Sequence, residues 1–118
     1  MTTTIWVTTQ FEGFHSWPDA PIHRAYLGEP HRHLFKVRVE VEVVHDDREV
    51  EFHDLLDAVK SRLPKSPDLG AQSCEMMAAG IATDVAAMLP GRTVRCEVSE
   101  DGECGAIAEI SAPETAPQ

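Results

Sequence analysis

The sequence contains few basic residues. Ten Lys and Arg stand against twenty Asp and Glu, which gives a formal net charge of −10. A chain with this charge repels the phosphates of nucleic acids, so direct binding of DNA or RNA is not expected. Cysteine is also scarce. The three cysteines include no C-x-x-C pair, which excludes a thiolate zinc finger, and their odd number argues against a disulfide framework.

Long apolar runs are absent as well. No stretch approaches the roughly 18 apolar residues that span a bilayer, and the first residues lack the basic segment and apolar run of a secretion signal. We therefore expect a cytoplasmic protein that does not enter a membrane. Its 118 residues, 42% of them hydrophobic, suit one domain with its own core. We expect this domain to cover residues 1–112 and a flexible tail to follow at 113–118.

Alternating polar and apolar residues predict a β-sheet. The predicted strands cover residues 4–11, 31–44, 93–98 and 105–110. A turn at Asp46 and Asp47 leads into residues 48–52, which we expect to return as a short hairpin arm.

Two helices are predicted between the strands. Asp54 is the expected N-cap of the first, which runs for about ten residues to Pro64. Ser73 is expected to cap the second, whose apolar residues recur every three or four positions until Pro90 and Gly91 end it. Hairpins at both ends with helices between them indicate an α+β fold class, with an antiparallel sheet of four main strands.

Three histidines are placed to share a metal ion. His31 and His33 are two residues apart on a predicted strand, so their side chains leave the same face. His15 follows the first strand, and pairing of the first two strands would bring it beside the other two. Three imidazoles suit Zn²⁺ and leave a fourth coordination position for water or substrate, as in catalytic zinc sites.

The histidines alone leave a second interpretation open. Six histidines in an acidic protein can be ordinary surface residues, and an H-x-H pair is a weak signal by itself. His23, His45 and His53 lack comparable partners, and we expect them to be exposed or in loops. Residues 15–30 contain three prolines and no regular period, so we expect a loop, which at this length is usually functional or mobile.

The motifs around the three histidines resemble those of a known family. F-E-G-F-H at residues 11–15, and H-R-H at 31–33 where a long strand begins, are similar to the F-x-x-x-H and H-G-H signatures of the 6-pyruvoyl-tetrahydropterin synthase and 6-carboxytetrahydropterin synthase family. The resemblance implies a T-fold, the tetrahydropterin-synthase-like arrangement. It also implies that His15, His31 and His33 bind zinc.

The likeness extends over most of the chain. V-E-F at residues 50–52 is similar to the family's V-x-D-F, and S-C-E at 73–75 is similar to its P-T-x-E helix start. V-S-E-D at 98–101 resembles the family's V-x-E-T, whose glutamate anchors the pterin ring. The resemblance therefore implies substrate-binding roles for Glu100 and Ser73. A carboxylate can accept two parallel hydrogen bonds from the N–H edge of a pterin or guanine.

The sequence departs from the family at its acid-base residues. The catalytic cysteine, four residues before H-G-H, is replaced by Leu27, and the Asp-His pair between the helices is reduced to Asp68. The catalytic residues therefore stay unknown, with Glu29, Asp68 and Cys104 as candidates. Cys74 is a further alternative because a helix N-terminus favours a thiolate.

The resemblance implies a zinc-dependent lyase-type enzyme. Its substrate would be dihydroneopterin triphosphate or a related pterin, in tetrahydropterin or 7-deazaguanine (queuosine-type) biosynthesis, with altered chemistry allowed by the missing residues. One alternative is a non-catalytic protein that binds a pterin- or purine-like ligand, and another is a structural protein whose histidines are incidental. The family also implies a homo-oligomer based on trimers, such as a hexamer, in which the sheets close into a barrel.

Overall fold

The computed structural model of the protein describes residues 1–113 and has an α+β fold. In these residues four strands form an antiparallel sheet, as predicted, and the sheet is open with the strand order β1-β2-β3-β4. The elements are β1 (Thr3–His15), a 3-10 helix (Ile22–Gly28), β2 (His31–Val43), α1 (Phe52–Ser61), α2 (Cys74–Met88), β3 (Val94–Glu100) and β4 (Cys104–Ile110). No helix among the described residues is long and apolar enough to cross a membrane. All but the first residue of the predicted tail lies outside the described part of the chain.

One face of the sheet carries the core. Every second residue is buried along 35–43 of β2 and 94–98 of β3, because strand side chains alternate between the two faces. α2 packs across β3 and β4, and α1 packs against β1. The buried side chains of the helices are Leu55, Val59, Cys74, Met77, Ala78, Ile81, Ala82 and Val85. The opposite face of the sheet is open, and Trp6 and Ile107 are half exposed there.

The hairpin arm predicted over residues 48–52 is wrong, because bends and turns fill this segment up to the start of α1. Glu49 accepts a hydrogen bond from the Val44 amide (2.9 Å) and pairs with the Arg92 guanidinium (2.7 Å). Side chains rather than a strand ladder thus hold the segment to the end of the sheet. Arg48 has a φ of 52°, a left-handed conformation that interrupts a strand.

The two helix starts differ in how well they were predicted. The N-cap of α1 is Glu51 rather than Asp54, because a Glu51 carboxylate oxygen accepts a hydrogen bond from the Asp54 amide at 3.0 Å. The first helix therefore begins earlier, at Phe52. The predicted cap of α2 is confirmed, since Ser73 Oγ accepts a hydrogen bond from the Met76 amide at 3.1 Å.

β1 continues beyond the predicted strand and ends at His15. Its last residues pair with β2, so that His15 lies opposite His31 and Gly13 lies opposite His33. A Cβ at Gly13 would come within 2.6 Å of Leu69 Cδ1, so glycine leaves room for this buried side chain. Packing of the connector between the helices therefore supports the end of the strand that carries the histidines.

The turn between β3 and β4 has the backbone conformation that its Asp-Gly sequence favours. Asp101 and Gly102 have φ values of 57° and 78°, the left-handed pair that Asp-Gly turns favour. The Glu103 amide donates a hydrogen bond to the Glu100 carbonyl at 3.0 Å. This tight turn sets the position of the two acidic residues at its start, Glu100 and Asp101.

Substitution of Gly105, at the start of β4, is expected to destabilise this hairpin. A Cβ at Gly105 would meet the backbone of the facing strand, with Ser99 Cα at 2.6 Å. We expect Gly105→Ala to lower the free energy of unfolding by about 2 kcal/mol, as overpacking usually does. Gly80→Ala in α2 is the matched control, since a Cβ there meets open space and should stabilise the helix by up to about 1 kcal/mol. Urea denaturation measures both, and equal effects would contradict the close approach.

Candidate metal centre

The structure brings His15, His31 and His33 together at one end of the sheet. His15 and His31 are direct partners in the β1–β2 ladder, and all three side chains leave the face that packs against the helices. Their ring centroids lie 4.6 to 5.4 Å apart. The two-residue spacing of His31 and His33 places them as predicted, and the strand register supplies the third ring.

The Nδ1 atom of each ring has a hydrogen-bond acceptor. The acceptors are the Gln72 carbonyl oxygen for His15 (2.7 Å), the Glu29 carbonyl oxygen for His31 (2.9 Å) and Asp101 Oδ2 for His33 (2.8 Å). Neither a carbonyl oxygen nor an ionised carboxylate can donate, so Nδ1 is the donor in each contact and the lone pair of a neutral ring lies on Nε2. Metal-binding histidines are held in this way, because the outer hydrogen bond fixes both the tautomer and the ring orientation.

A carboxylate meets the free ring nitrogens. Suitable donor atoms of His15, His31, His33 and Glu100 all lie within 4.8 Å of one another. Glu100 Oε2 is 2.9 Å from His15 Nε2 and 3.5 Å from His33 Nε2.

The shortest of these contacts is not a hydrogen bond. His15 Nε2 is buried and has no hydrogen-bond partner among the described residues, because the short approach of Glu100 has unsuitable angles. The ring nitrogen and the carboxylate oxygen thus lie side by side without a hydrogen bond between them. Such an arrangement attracts a cation, and three imidazoles with one carboxylate are a donor set that Zn²⁺ accepts. The residues present therefore fit the metal that the family resemblance implies.

Asp101 supports the cluster, and sequence reasoning missed it. Its Oδ2 accepts from His33, its Oδ1 accepts from the Leu34 amide at 2.9 Å, and its own amide donates to the Leu34 carbonyl at 2.9 Å. The hydrogen bond from His33 and then that from the Leu34 amide hold the pKa of the Asp101 carboxyl below its ordinary value. In the sequence Asp101 is indistinguishable from an ordinary turn residue.

A core residue packs against the buried side of the site, and the other side is partly exposed to solvent. Phe35 is fully buried, and its ring centroid lies 5.2 Å from that of His15 and 5.6 Å from that of His33. The His33 and Glu100 side chains keep 21% and 27% of their surface exposed. The cluster is therefore partly exposed to solvent on the side of His33 and Glu100.

The other predicted site residues lie outside the cluster. Glu29 contributes its backbone carbonyl to His31, and its side chain is exposed. Asp68 Oδ1 accepts a hydrogen bond from the Gly70 amide at 3.2 Å within the connector. Ser73 is engaged as the helix cap, one residue after the carbonyl that orients His15. Their predicted catalytic and substrate-binding roles stay predictions.

The cysteines near the site are thiols rather than thiolates. Cys104 Sγ lies 3.8 Å from Glu100 Oε1, and desolvation and then the Glu100 charge raise the pKa of this thiol. Burial raises the pKa of Cys74 to about 12, although this residue opens α2. The helix N-terminus therefore does not make Cys74 a thiolate.

The remaining histidines are exposed, as predicted: His23 lies in the 3-10 helix, His45 in a bend and His53 in the first turn of α1. Arg32, between the two β2 histidines, points to the opposite face and hydrogen-bonds Glu12 at 3.0 Å. Among the described residues, the candidate metal centre therefore uses three of the six histidines.

The comparisons with known proteins do not assign this chain to a family. No protein-family model matches the sequence, and no curated protein matches it. The functional argument therefore rests on the geometry of the histidine cluster and on the motifs that surround it.

Proposed function

We propose that this chain binds Zn²⁺ through His15, His31 and His33 and acts as a zinc-dependent lyase-type enzyme on dihydroneopterin triphosphate or a related pterin. The observation that carries the proposal is the convergence of ring nitrogens from three histidines whose rings are all held through Nδ1. The likeness to the 6-pyruvoyl- and 6-carboxytetrahydropterin synthase motifs supports the substrate class.

Different residues of this protein would have different roles at such a zinc site. Bound Zn²⁺ supplies Lewis-acid chemistry that polarises a substrate carbonyl or hydroxyl. Two backbone carbonyls and Asp101 hold the histidine rings in place, which preserves the site between turnovers. Glu100 is partly exposed at its edge, where a carboxylate can accept hydrogen bonds from the N–H groups of a pterin.

We also propose that the chain has a T-fold and forms a homo-oligomer built from trimers, such as a hexamer. Two features support it. β1 is a thirteen-residue strand at the edge of the sheet, and the connector at residues 67–70 pairs only with its last part. The uncovered sheet face carries the exposed Trp6. Pairing between subunits that closes the sheets into a barrel would satisfy the free edges, and sedimentation velocity measures the number of chains.

A second candidate function is ligand binding without turnover. Leu27 stands where the family has its cysteine, and Cys104, whose Sγ lies 3.8 Å from Glu100 Oε1, has a raised pKa that keeps it protonated. Incubation with dihydroneopterin triphosphate and mass spectrometry of the products separates the two functions. Metal-dependent product supports the enzyme, whereas unchanged substrate that raises the thermal stability supports the binding protein.

Metal analysis tests the central claim. Protein purified without chelator should contain about one zinc per chain. His31→Ala and His33→Ala should lose this metal, whereas His23→Ala and His53→Ala, at exposed histidines outside the cluster, should keep it. Wild-type protein without stoichiometric zinc, or cluster variants with unchanged metal content, would overturn the proposal.

A further inference from the structure

We infer that Glu100 is the fourth protein ligand of the metal in the substrate-free protein. The inference rests on the proposed zinc site and assigns Glu100 a role beyond binding a substrate. Donor atoms around a tetrahedral zinc ion lie about 3.4 Å apart, given Zn–N and Zn–O bonds near 2.1 Å. The separations of Glu100 Oε2 from His15 Nε2 (2.9 Å) and His33 Nε2 (3.5 Å) lie on either side of this value.

The fold directs the Glu100 carboxylate at the histidines. Glu100 is the last residue of β3, where it pairs with Phe35 of β2. Residues of β3 at even positions face the helices, so Glu100 leaves the same face of the sheet as the three histidines. The following turn then holds the end of this strand through the two hydrogen bonds between Asp101 and the Leu34 backbone.

The two oxygens of the carboxylate have different surroundings. Oε2 faces the ring nitrogens, whereas Oε1 accepts a weak hydrogen bond from the Cys104 thiol at 3.8 Å. One oxygen is thus left for a metal while the other is held by the Cys104 thiol. This division is suited to a carboxylate that binds a metal through a single oxygen.

The charge of Glu100 also requires a partner. Among residues 1–113, its ion-pair partners are His15 and His33, and no Lys or Arg lies within ion-pair distance. A bound divalent metal would place a permanent positive charge beside this carboxylate, which has no such neighbour among these residues.

Ligation by Glu100 has a consequence for the substrate. With Glu100, His15, His31 and His33 as ligands, four protein groups would fill a tetrahedral coordination shell. A substrate that is to bind the metal directly would then have to take the place of one of them, and Glu100 is the partly exposed carboxylate at the edge of the cluster.

Cobalt substitution tests this assignment without an activity measurement. The absorption bands of Co²⁺ report its coordination shell, and Glu100→Gln should change their position and intensity. Loss of a hydrogen-bond partner of a metal ligand costs roughly 10- to 100-fold in metal affinity. The same variant removes a ligand and should lower the affinity by at least as much. Glu103→Gln, an exposed glutamate in the same turn, is the matched control and should leave the bands and the affinity unchanged. Glu100→Asp keeps the charge but withdraws the carboxylate by one methylene, and it should alter the bands as well.

The outcomes separate the inference from the proposed function. If Co²⁺ binds to wild type, Glu100→Gln and Glu100→Asp with the same bands and affinity, Glu100 is not a ligand, while the three-histidine site survives. If wild type binds neither Co²⁺ nor Zn²⁺, the proposed zinc site itself fails. Altered bands in both Glu100 variants, with Glu103→Gln unchanged, support the fourth ligand.

Discussion

Saturating Zn²⁺ is expected to raise the free energy of unfolding of this protein by about 4 kcal/mol when free metal reaches a thousand times its dissociation constant. For a domain of this size the melting temperature should rise by roughly 15 °C. The physical reason is that the ligands are assembled by strand pairing, as His15 meets His31 only in the β1–β2 ladder. The unfolded chain lacks this arrangement, so the metal stabilises the native state almost exclusively.

Calorimetry of metal-free and zinc-loaded protein measures this shift. Metal-free His31→Ala should melt near the metal-free wild type and should gain almost nothing from zinc. His53→Ala removes an exposed histidine outside the cluster and should keep the full gain. A similar zinc-dependent rise in both variants would show that the metal binds elsewhere.

Replacement of Asp101 by alanine is expected to weaken zinc binding by roughly 10- to 100-fold, although Asp101 is not a ligand. Its carboxylate holds His33 through Nδ1 at 2.8 Å and the Leu34 amide at 2.9 Å. Without it the imidazole can rotate and exchange tautomers, so Nε2 loses its fixed direction. Alanine also fits poorly at a φ of 57°, which should lower the stability of the turn.

Asp101→Asn separates the two effects of this substitution. Asparagine tolerates the left-handed conformation, but its one carbonyl oxygen replaces two acceptors, so the turn should persist while the metal affinity falls part of the way. Competition with a chromophoric chelator measures the affinities, and far-UV circular dichroism reports the fold. Glu103→Ala, in the same turn, should bind zinc like the wild type. A folded Asp101→Ala protein with wild-type affinity would contradict the support of His33 by this carboxylate.

The sequence predicted the sheet well where a strand repeats every two residues, because that period follows from the geometry of a single strand. It failed at residues 48–52, where the local pattern also suits a strand. There the Glu49–Arg92 ion pair, which joins residues 43 positions apart, holds the segment in turns and bends instead. It also ended β1 too early, since the Gly13 to His15 segment has little strand preference and is held by pairing with β2.

The same distinction between local pattern and tertiary contact applies to the histidine cluster. The sequence by itself determined that His31 and His33 share a face, because two residues on one strand always do. Only the tertiary structure decided that His15 joins them, through the register of β1 against β2.

The tertiary structure also brings the residues that complete the site next to the histidines. The acceptors for His15 and His33 lie 57 and 68 positions away in the chain, and Glu100 arrives on the third strand. Contacts between such distant segments depend on packing and register, and a local pattern holds no information about either. The sequence was therefore enough to predict which histidines share a face of the sheet. The folded chain was needed to show how the rings are oriented and that the Glu100 carboxylate joins them.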